Sequence, residues 1–203
     1  MVRKTKEEAQ NTRKNILDAA LEVFYVKGVA YSSLEDIAEA AGVTRGAVYW
    51  HFKNKADIFN ELHGEVHMSF INRMNDTQAR NNQNAIKQLA DLCVDSLLDI
   101  ATDIKMQKFF TVFFMKCDYS GDLATLLVTQ NKQNAETFHI IKGFFERAIA
   151  QQVLPKDADP HFLSVSLFCY MGGMIHEYLR NPSLVDLKKM AGPMVDFYFK
   201  KLL

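Results

Sequence analysis

Arg45 and Tyr49 stand four residues apart between Thr44 and His51, so a helix over that stretch sets a guanidinium fork and a phenol on one face. The fork matches the paired acceptors of guanine in the major groove, and a tyrosine can meet a thymine methyl or a phosphate. Gly46 beside them leaves the start of the helix open to close approach by another backbone. Ser32, Ser33, Thr44 and Lys55 fall at predicted helix starts, where hydroxyls and a cation can donate to phosphate, and His51 closes the same short helix. Taken singly, a hydroxyl at a helix start is most often a plain cap and a surface lysine is most often only solvated. Their gathering around one short helix points to nucleic acid.

Two short helices must position these groups. Ile37, Ala38 and Ala41 with Val43, Ala47 and Val48 form a small apolar seam, and Gly42 supplies the turn, which together read as a helix-turn-helix. Ser32-Ser33-Leu34-Glu35-Asp36 offers a hydroxyl N-cap and an acid three residues on, a capping-box start for the first helix, which ends at Gly42, and Thr44 caps the second. A preceding helix, entered near Asn11 or Thr12 and stopped by Lys27-Gly28, carries the stripe Ile16, Leu17, Ala20, Leu21 and Phe24. A fourth opens at Asn54 to Asp57, turns Ile58, Phe59, Leu62, Val66 and Phe70 inward, and dissolves in the polar stretch Asn75 to Asn84.

Beyond it the helical period predicts segments near 85–101, 104–116 and 121–152, then a loop at Leu154 to Asp157. Asp159-Pro160 starts the next helix, and Asn181-Pro182-Ser183 ends it and caps a last one toward Leu203, with a kink or a late start at Pro193. Nothing reads as a strand, and the fold class is all-α.

The 203 residues are 48% hydrophobic and 24% charged, a globular composition that excludes disordered, collagen-like and disulfide-dense chains. No apolar run nears the roughly 18 residues of a membrane span, and Met1 to Gln10 lacks the apolar core of a signal peptide, so the expectation is a cytoplasmic protein with no membrane partner. Cys93, Cys117 and Cys169 form no close pair and read as small buried hydrophobes. Net charge is zero, yet residues 1–56 hold nine Lys or Arg against seven acids and the remainder fifteen against seventeen. That asymmetry is too small to name a partner without the motif.

The motif also carries a resemblance. Thr12 to Leu62, above all AAGVTRGAVYWHFKNKADIF, is similar to the DNA-binding domain of the TetR family of bacterial repressors. RKTKEEAQNTRKNILDAAL with VTRGAVYWHF further resembles the subgroup typified by the AcrR and MtrR repressors, which controls multidrug efflux pumps; KCDYSGDL and the DLKK of 186–189 echo it. The resemblance implies a homodimer with a three-helix DNA-binding domain, residues 1–56, and a larger ligand-binding and dimerisation domain, residues 57–203, joined to its partner through the last two helices. It further implies a repressor released from a palindromic double-stranded operator by a hydrophobic or cationic small-molecule inducer. A regulator of the same build serving a metabolic or signalling operon is the alternative.

The residues support two parts of that picture separately. His161 to Leu179 is apolar on almost every face, as is the last helix through Leu187, Met190, Met194, Val195, Phe197 and Phe199, and such helices need burial on two sides. Along the long helix an inward stripe of Leu123, Leu127, Gln130, Asn134, Phe138, Ile141 and Phe145 includes two amides, and buried amides need partners. One reading makes Gln130 and Asn134 the polar groups of an apolar ligand cavity lined also by His67, Phe70, Leu97, Phe110, Phe113, Phe114, Phe138, Phe168 and Met171. The other gives the amides water or backbone partners.

His63 and His67 have the spacing of a metal pair but no third ligand near in sequence, which favours a pocket wall or a solvated face. No metal or cofactor is called for. Without a GxSxG elbow, an HExxH helix, a phosphate loop or a paired cysteine site, nothing proposes an enzyme.

Overall fold

The structure, a computed structural model, describes residues 6–80, 84–119 and 123–200, and no strand occurs among them. Helix α1 (Lys6–Lys27) buries the predicted stripe, but it begins by Lys6 rather than near Asn11. Glu7 and Glu8 suit its positive end, and the Thr12 hydroxyl donates backward to the Glu8 carbonyl at 2.8 Å instead of capping. Gly28, at φ +83°, ends the helix with its N–H on the Phe24 carbonyl at 2.8 Å.

Helix α2 (Leu34–Ala40) starts from the complete capping box of Ser33 and Asp36. Its end is a Schellman turn around Gly42, at φ +63°, with Gly42 N–H on Glu39 and Val43 N–H on Ala38 at 3.1 and 3.0 Å. Thr44 caps α3 (Arg45–His51) by accepting from the Ala47 N–H at 3.2 Å.

Helix α4 (Lys55–Gln78) does not dissolve at Asn75. Met74 is buried, and the carbonyls that end the helix are taken by side chains: Gln88 Nε2 donates to Thr77 and Arg80, and Arg147 Nη1 donates to Gln78. Polar composition suggested a loop, but tertiary caps extend the helix.

The chain divides into two compact units that do not follow chain order: residues 1–66 with 108–130, and residues 67–107 with 131–203. In the first, α1 to α3 and the first half of α4 close over Phe24, Ile37, Val48, Phe52, Ile58 and Phe59, joined by Phe109, Val112, Leu123 and Leu126. The predicted helix 104–116 is two pieces, α6 (Ile104–Thr111) and a π-helical turn over Val112–Lys116. Carbonyls at that wider turn are met from outside it, Phe113 by the Tyr119 hydroxyl and Lys116 by the Val29 N–H.

In the second unit α5 (Ala85–Thr102) packs along α9 (Leu187–Lys200), and α8 (Pro160–Arg180) starts as predicted from Asp159 and Pro160. The Ser166 and Tyr198 hydroxyls meet at 2.6 Å, and Tyr170 donates to the Met194 carbonyl at 2.9 Å, which fixes α8 on α9. Ser183 bonds Asn181 instead of capping, so α9 opens at Leu187, and Pro193 lies inside it rather than at its start.

Helix α7 (Thr125–Ala150) buries Leu126, Gln130, Thr137, Ile140, Ile141, Phe144, Phe145 and Ala148. Of the expected inward stripe, Leu123, Gln130, Ile141 and Phe145 are buried and Phe138 is half-buried, while Leu127 and Asn134 are exposed. In the doublets Ile140-Ile141 and Phe144-Phe145 both residues are buried, whereas of Leu126-Leu127 only the first is, so the buried face is broader toward the end of the helix than at its start. The residues expected to start this helix at 121 lie outside those described.

Candidate nucleic-acid interface

Helix α3 places only Val48 fully in the core. Its other face is turned out: Tyr49 is 48% and Trp50 73% exposed, high for large aromatic groups. Arg45, at the first turn, donates from Nη2 to the Tyr49 hydroxyl at 3.2 Å, its guanidinium 5.3 Å from the ring centroid, and its Nη1 pairs with Glu35 of α2. The Tyr49 hydroxyl and then Glu35 raise the Arg45 pKa above its ordinary value. Beside Arg45, a methyl on Gly46 would meet nothing nearer than Thr44 Oγ1 at 3.9 Å.

The surrounding donors divide by task. Ser33 and Thr44 are caps, as above. Ser32 is buried and its hydroxyl donates to the Val29 carbonyl at 2.8 Å, so it belongs to the turn between α1 and α2 rather than to an open phosphate-facing surface. Lys55 is anchored by its ammonium to the Ala30 carbonyl at 2.8 Å. His51 packs edge-on against Trp50 at 4.4 Å. One cation of α1 is tied inward: Arg13 pairs with Glu61 at 2.8 Å and covers the Phe52 ring.

Sequence reasoning missed Glu35 as the partner of Arg45, because the capping box accounted for the acids of α2 and no helical spacing joins positions on two helices. The capping acid is Asp36. The Lys27 ammonium at 2.7 Å, followed by the Ser33 backbone N–H, holds its carboxyl down to about 2.

The expected ligand-lining residues fall into both units. In the first, Phe109, Phe110, Phe113 and Phe114 form a continuous aromatic row with neighbouring centroids 5.0–6.1 Å apart. His63 of α4 stacks on Phe113 at 5.1 Å. Gln130 is buried and donates to the Tyr119 hydroxyl at 3.1 Å, so this amide has a side-chain partner. Burial pushes Tyr119 up to about 12 and the neighbouring Cys117 thiol up to about 11, so both are neutral at physiological pH.

In the second unit Leu97 is fully buried, and Phe138 meets His161 edge-on at 5.1 Å. Phe70 lies beside Arg73, Met171 is half-buried, and buried His67 bonds Glu136 at 2.9 Å. His63 and His67 are therefore both buried rather than solvated, and among the described residues no three potential ligands gather for a metal. Phe168 is exposed rather than inward: it shares the outer face of α8 with Phe162, Val165 and Cys169, while Leu163, Leu167, Met174 and Tyr178 take the inner one. Cys169 is thus not the buried hydrophobe expected. In α9 Phe197 and Met190 are also exposed.

Comparison with known proteins gives concordant likenesses. Residues 16–62 match the family model for bacterial regulatory proteins, tetR family, and residues 84–203 match that for the MAATS-type transcriptional repressor, C-terminal region. The chain is 35% identical over 192 residues to the HTH-type transcriptional regulator AcrR of Shigella flexneri, spanning 94% of this chain and 89% of that one. Among solved structures it is similar to NalD of Pseudomonas aeruginosa, the secondary repressor of the MexAB-OprM multidrug efflux pump, with TM-score 0.85, 32% identity and 98% of each chain covered. It is also similar to SmeT in its triclosan complex, with TM-score 0.85, 29% identity and coverage of 95% of this chain and 91% of that one. SmeT is the repressor of the Stenotrophomonas maltophilia pump SmeDEF.

Proposed function

Because this chain belongs to the TetR family of transcriptional regulators, we propose that it represses a multidrug efflux operon by binding a palindromic operator and releases it when a hydrophobic or cationic small molecule binds. The outward face of α3 carries the reading, since Arg45, Tyr49 and Trp50 present a fork and two aromatic groups that no part of the chain needs for its own packing. Arg45 and Tyr49 contact base edges, with Gly46 allowing close approach. Thr44, Ser33, His51 and Lys55 face phosphates, with Ser32 supporting their turn. The chain acts as a regulator rather than an enzyme, in the cytoplasm where its DNA lies; no helix of the described residues is long and apolar enough to cross a membrane.

The deciding experiment is a gel-shift series on duplexes selected from a random library, with Trp50 fluorescence followed in parallel. Arg45→Ala costs about 1–3 kcal/mol at one base pair and relaxes specificity there, whereas Lys55→Ala weakens all duplexes alike and flattens the salt dependence by about one unit. Equal affinity for every duplex, or a Trp50 signal unmoved by bound DNA, would overturn the assignment.

Two further parts of the reading have their own supports. The row Phe109 to Phe114 with His63 and Gln130, all of the first unit, suits an aromatic or cationic ligand, because ring faces attract cations; His67, Phe70, Leu97, Phe138 and Met171 are a separate set of candidates within the second unit, and exposed Asn134 is a poor one. A hundredfold release of DNA needs about 2.7 kcal/mol of differential binding. The outer face of α8 and α9, with Phe162 and Phe197 66% and 63% exposed, suits a second copy of the chain, and a symmetric dimer matches a palindrome. Sedimentation of Phe162→Asp with Phe197→Asp tests this; a dimer that survives both changes assembles elsewhere.

A further inference from the structure

The two adjacent acids that open α2 have different tasks. Asp36 is engaged inside its own turn by Lys27 and by the Ser33 N–H, at 2.7 and 2.8 Å. Glu35, one residue earlier, is turned onto α3 and pairs with Arg45 Nη1. Arg45 Nη2 donates to Tyr49, and the guanidinium lies beside the phenol ring. The fork is therefore held at both ends before DNA arrives, once from its own helix and once from the helix before it. Each terminal nitrogen of a guanidinium carries two N–H groups. One on each remains, the number that a bidentate contact to guanine O6 and N7 uses.

Stability is a poor reason for this pair. Both side chains are more than half exposed, and ion pairs in that setting contribute little. Gross affinity is a poor reason too, since a carboxylate at the reading face repels the phosphates that attract the protein to any DNA. What the pair does accomplish is orientation. A long, rotamer-rich arginine is kept near one geometry, and the carboxylate disfavours a duplex that meets the protein through phosphates without the matching base.

We propose that Glu35 is a specificity-determining positioning residue, which holds Arg45 ready for its base and penalises DNA bound through the backbone alone. This rests on the reading of Arg45 as a base contact.

The test uses a duplex selected by the wild-type protein from a random library, each of its single base-pair variants, and a scrambled duplex of the same length. Anisotropy titrations compare wild type, Glu35→Gln, Glu35→Asp, Arg45→Ala and the double variant Glu35→Gln/Arg45→Ala. Glu35→Gln binds the scrambled duplex about threefold tighter and loses about threefold to fivefold discrimination at the base pair to which Arg45→Ala is also blind. Glu35→Asp keeps the charge but is one methylene short, so it restores weak binding of the scrambled duplex and still loses discrimination. In the Arg45→Ala background Glu35→Gln changes discrimination no further. A merely structural role would move thermal stability and leave base discrimination alone. If Arg45→Ala relaxes one base pair while Glu35→Gln leaves both discrimination and scrambled-duplex affinity at wild-type values, this proposal falls by itself. If Arg45→Ala weakens every duplex by the same factor, the base-contact reading falls and takes this one with it.

Discussion

The Lys108 ammonium lies on both oxygens of the Glu22 carboxylate, at 2.7 and 2.6 Å. Helix α6 is thereby bonded to α1, and the joint is repeated one helical stretch later, where Lys116 donates to the Tyr25 carbonyl and accepts the Val29 N–H. Both ammonium groups also lie over the Tyr25 ring, at 5.6 and 5.0 Å. Between the two lysines sit Phe109 and Phe113, stacked on each other and met by His63. A shift of this aromatic row must carry the end of α1 with it or break these bonds, and α1 packs directly on α2 and α3.

Removing the joint should therefore uncouple ligand from DNA. Lys108→Ala with Lys116→Ala is expected to leave ligand affinity near wild type in calorimetry while the ligand's effect on operator affinity falls by about 0.5–2 kcal/mol. An inducer response of wild-type size in the double variant would exclude α6 and α1 as the route.

The reading elements were legible because local chemistry decides them. Thr44 and Gly42 are a cap and a turn whose partners lie within a few residues, and the capping box expected within Ser32 to Asp36 is there, formed by Ser33 and Asp36. The failures have a common cause in long-range partners. The end of α4 depends on Gln88 and Arg147, 8 to 69 positions away. The exposure of Leu127 and Asn134 in α7 depends on what packs against the first half of that helix, and the pairing of Glu35 with Arg45 depends on how two helices cross. The π-helical turn depends on Val29, from a distant part of the chain, meeting the Lys116 carbonyl. No periodicity within one segment encodes such contacts.

The cap on α4 gives the second prediction. Gln88 is buried, donates to the Thr77 and Arg80 carbonyls at 3.1 and 3.0 Å, and accepts from Arg147 Nη2 at 2.6 Å. Gln88→Ala strands two carbonyls and removes one partner of a guanidinium, so it should cost about 1–3 kcal/mol in denaturant unfolding. A loss of only a few tenths of a kcal/mol would mean that water replaces the amide and that α4 does not depend on this cap.

Acid stability supplies the third. The Asp36 carboxyl sits at about 2 in the folded chain, below its ordinary value of 3.8, through Lys27 first and then Ser33. A depressed carboxyl contributes stability that is present above the unfolded value and lost as pH falls through the folded one, so the window runs from about 4 down to about 2. Wild type should melt above Asp36→Asn at neutral pH, and the gap should close across that window. Other carboxylates titrate in both proteins and cancel in the difference. A gap that stays constant down to pH 2 would show that the charge on Asp36 does not matter to the cap.

Gly46 gives a prediction in which stability and function move in opposite directions. It lies in the first turn of α3 with ordinary helical backbone, and a methyl added there meets only Thr44 Oγ1 at 3.9 Å, an ordinary contact. Glycine within a helix is less stable than alanine by about 0.5–1 kcal/mol. The chain thus carries a destabilising residue for which its own packing gives no reason. Close approach of a duplex to the α3 backbone, beside Arg45, would give one. Gly46→Ala should accordingly raise the unfolding free energy by up to about 1 kcal/mol. The same methyl should weaken operator binding by about 1–3 kcal/mol, with nonspecific binding reduced less, because it stands between the backbone and the base edges. Unfolding and anisotropy titrations on one preparation measure both quantities. If Gly46→Ala is more stable and still binds the operator as wild type does, the start of α3 does not approach the bases closely and the docking of the recognition helix must be redrawn.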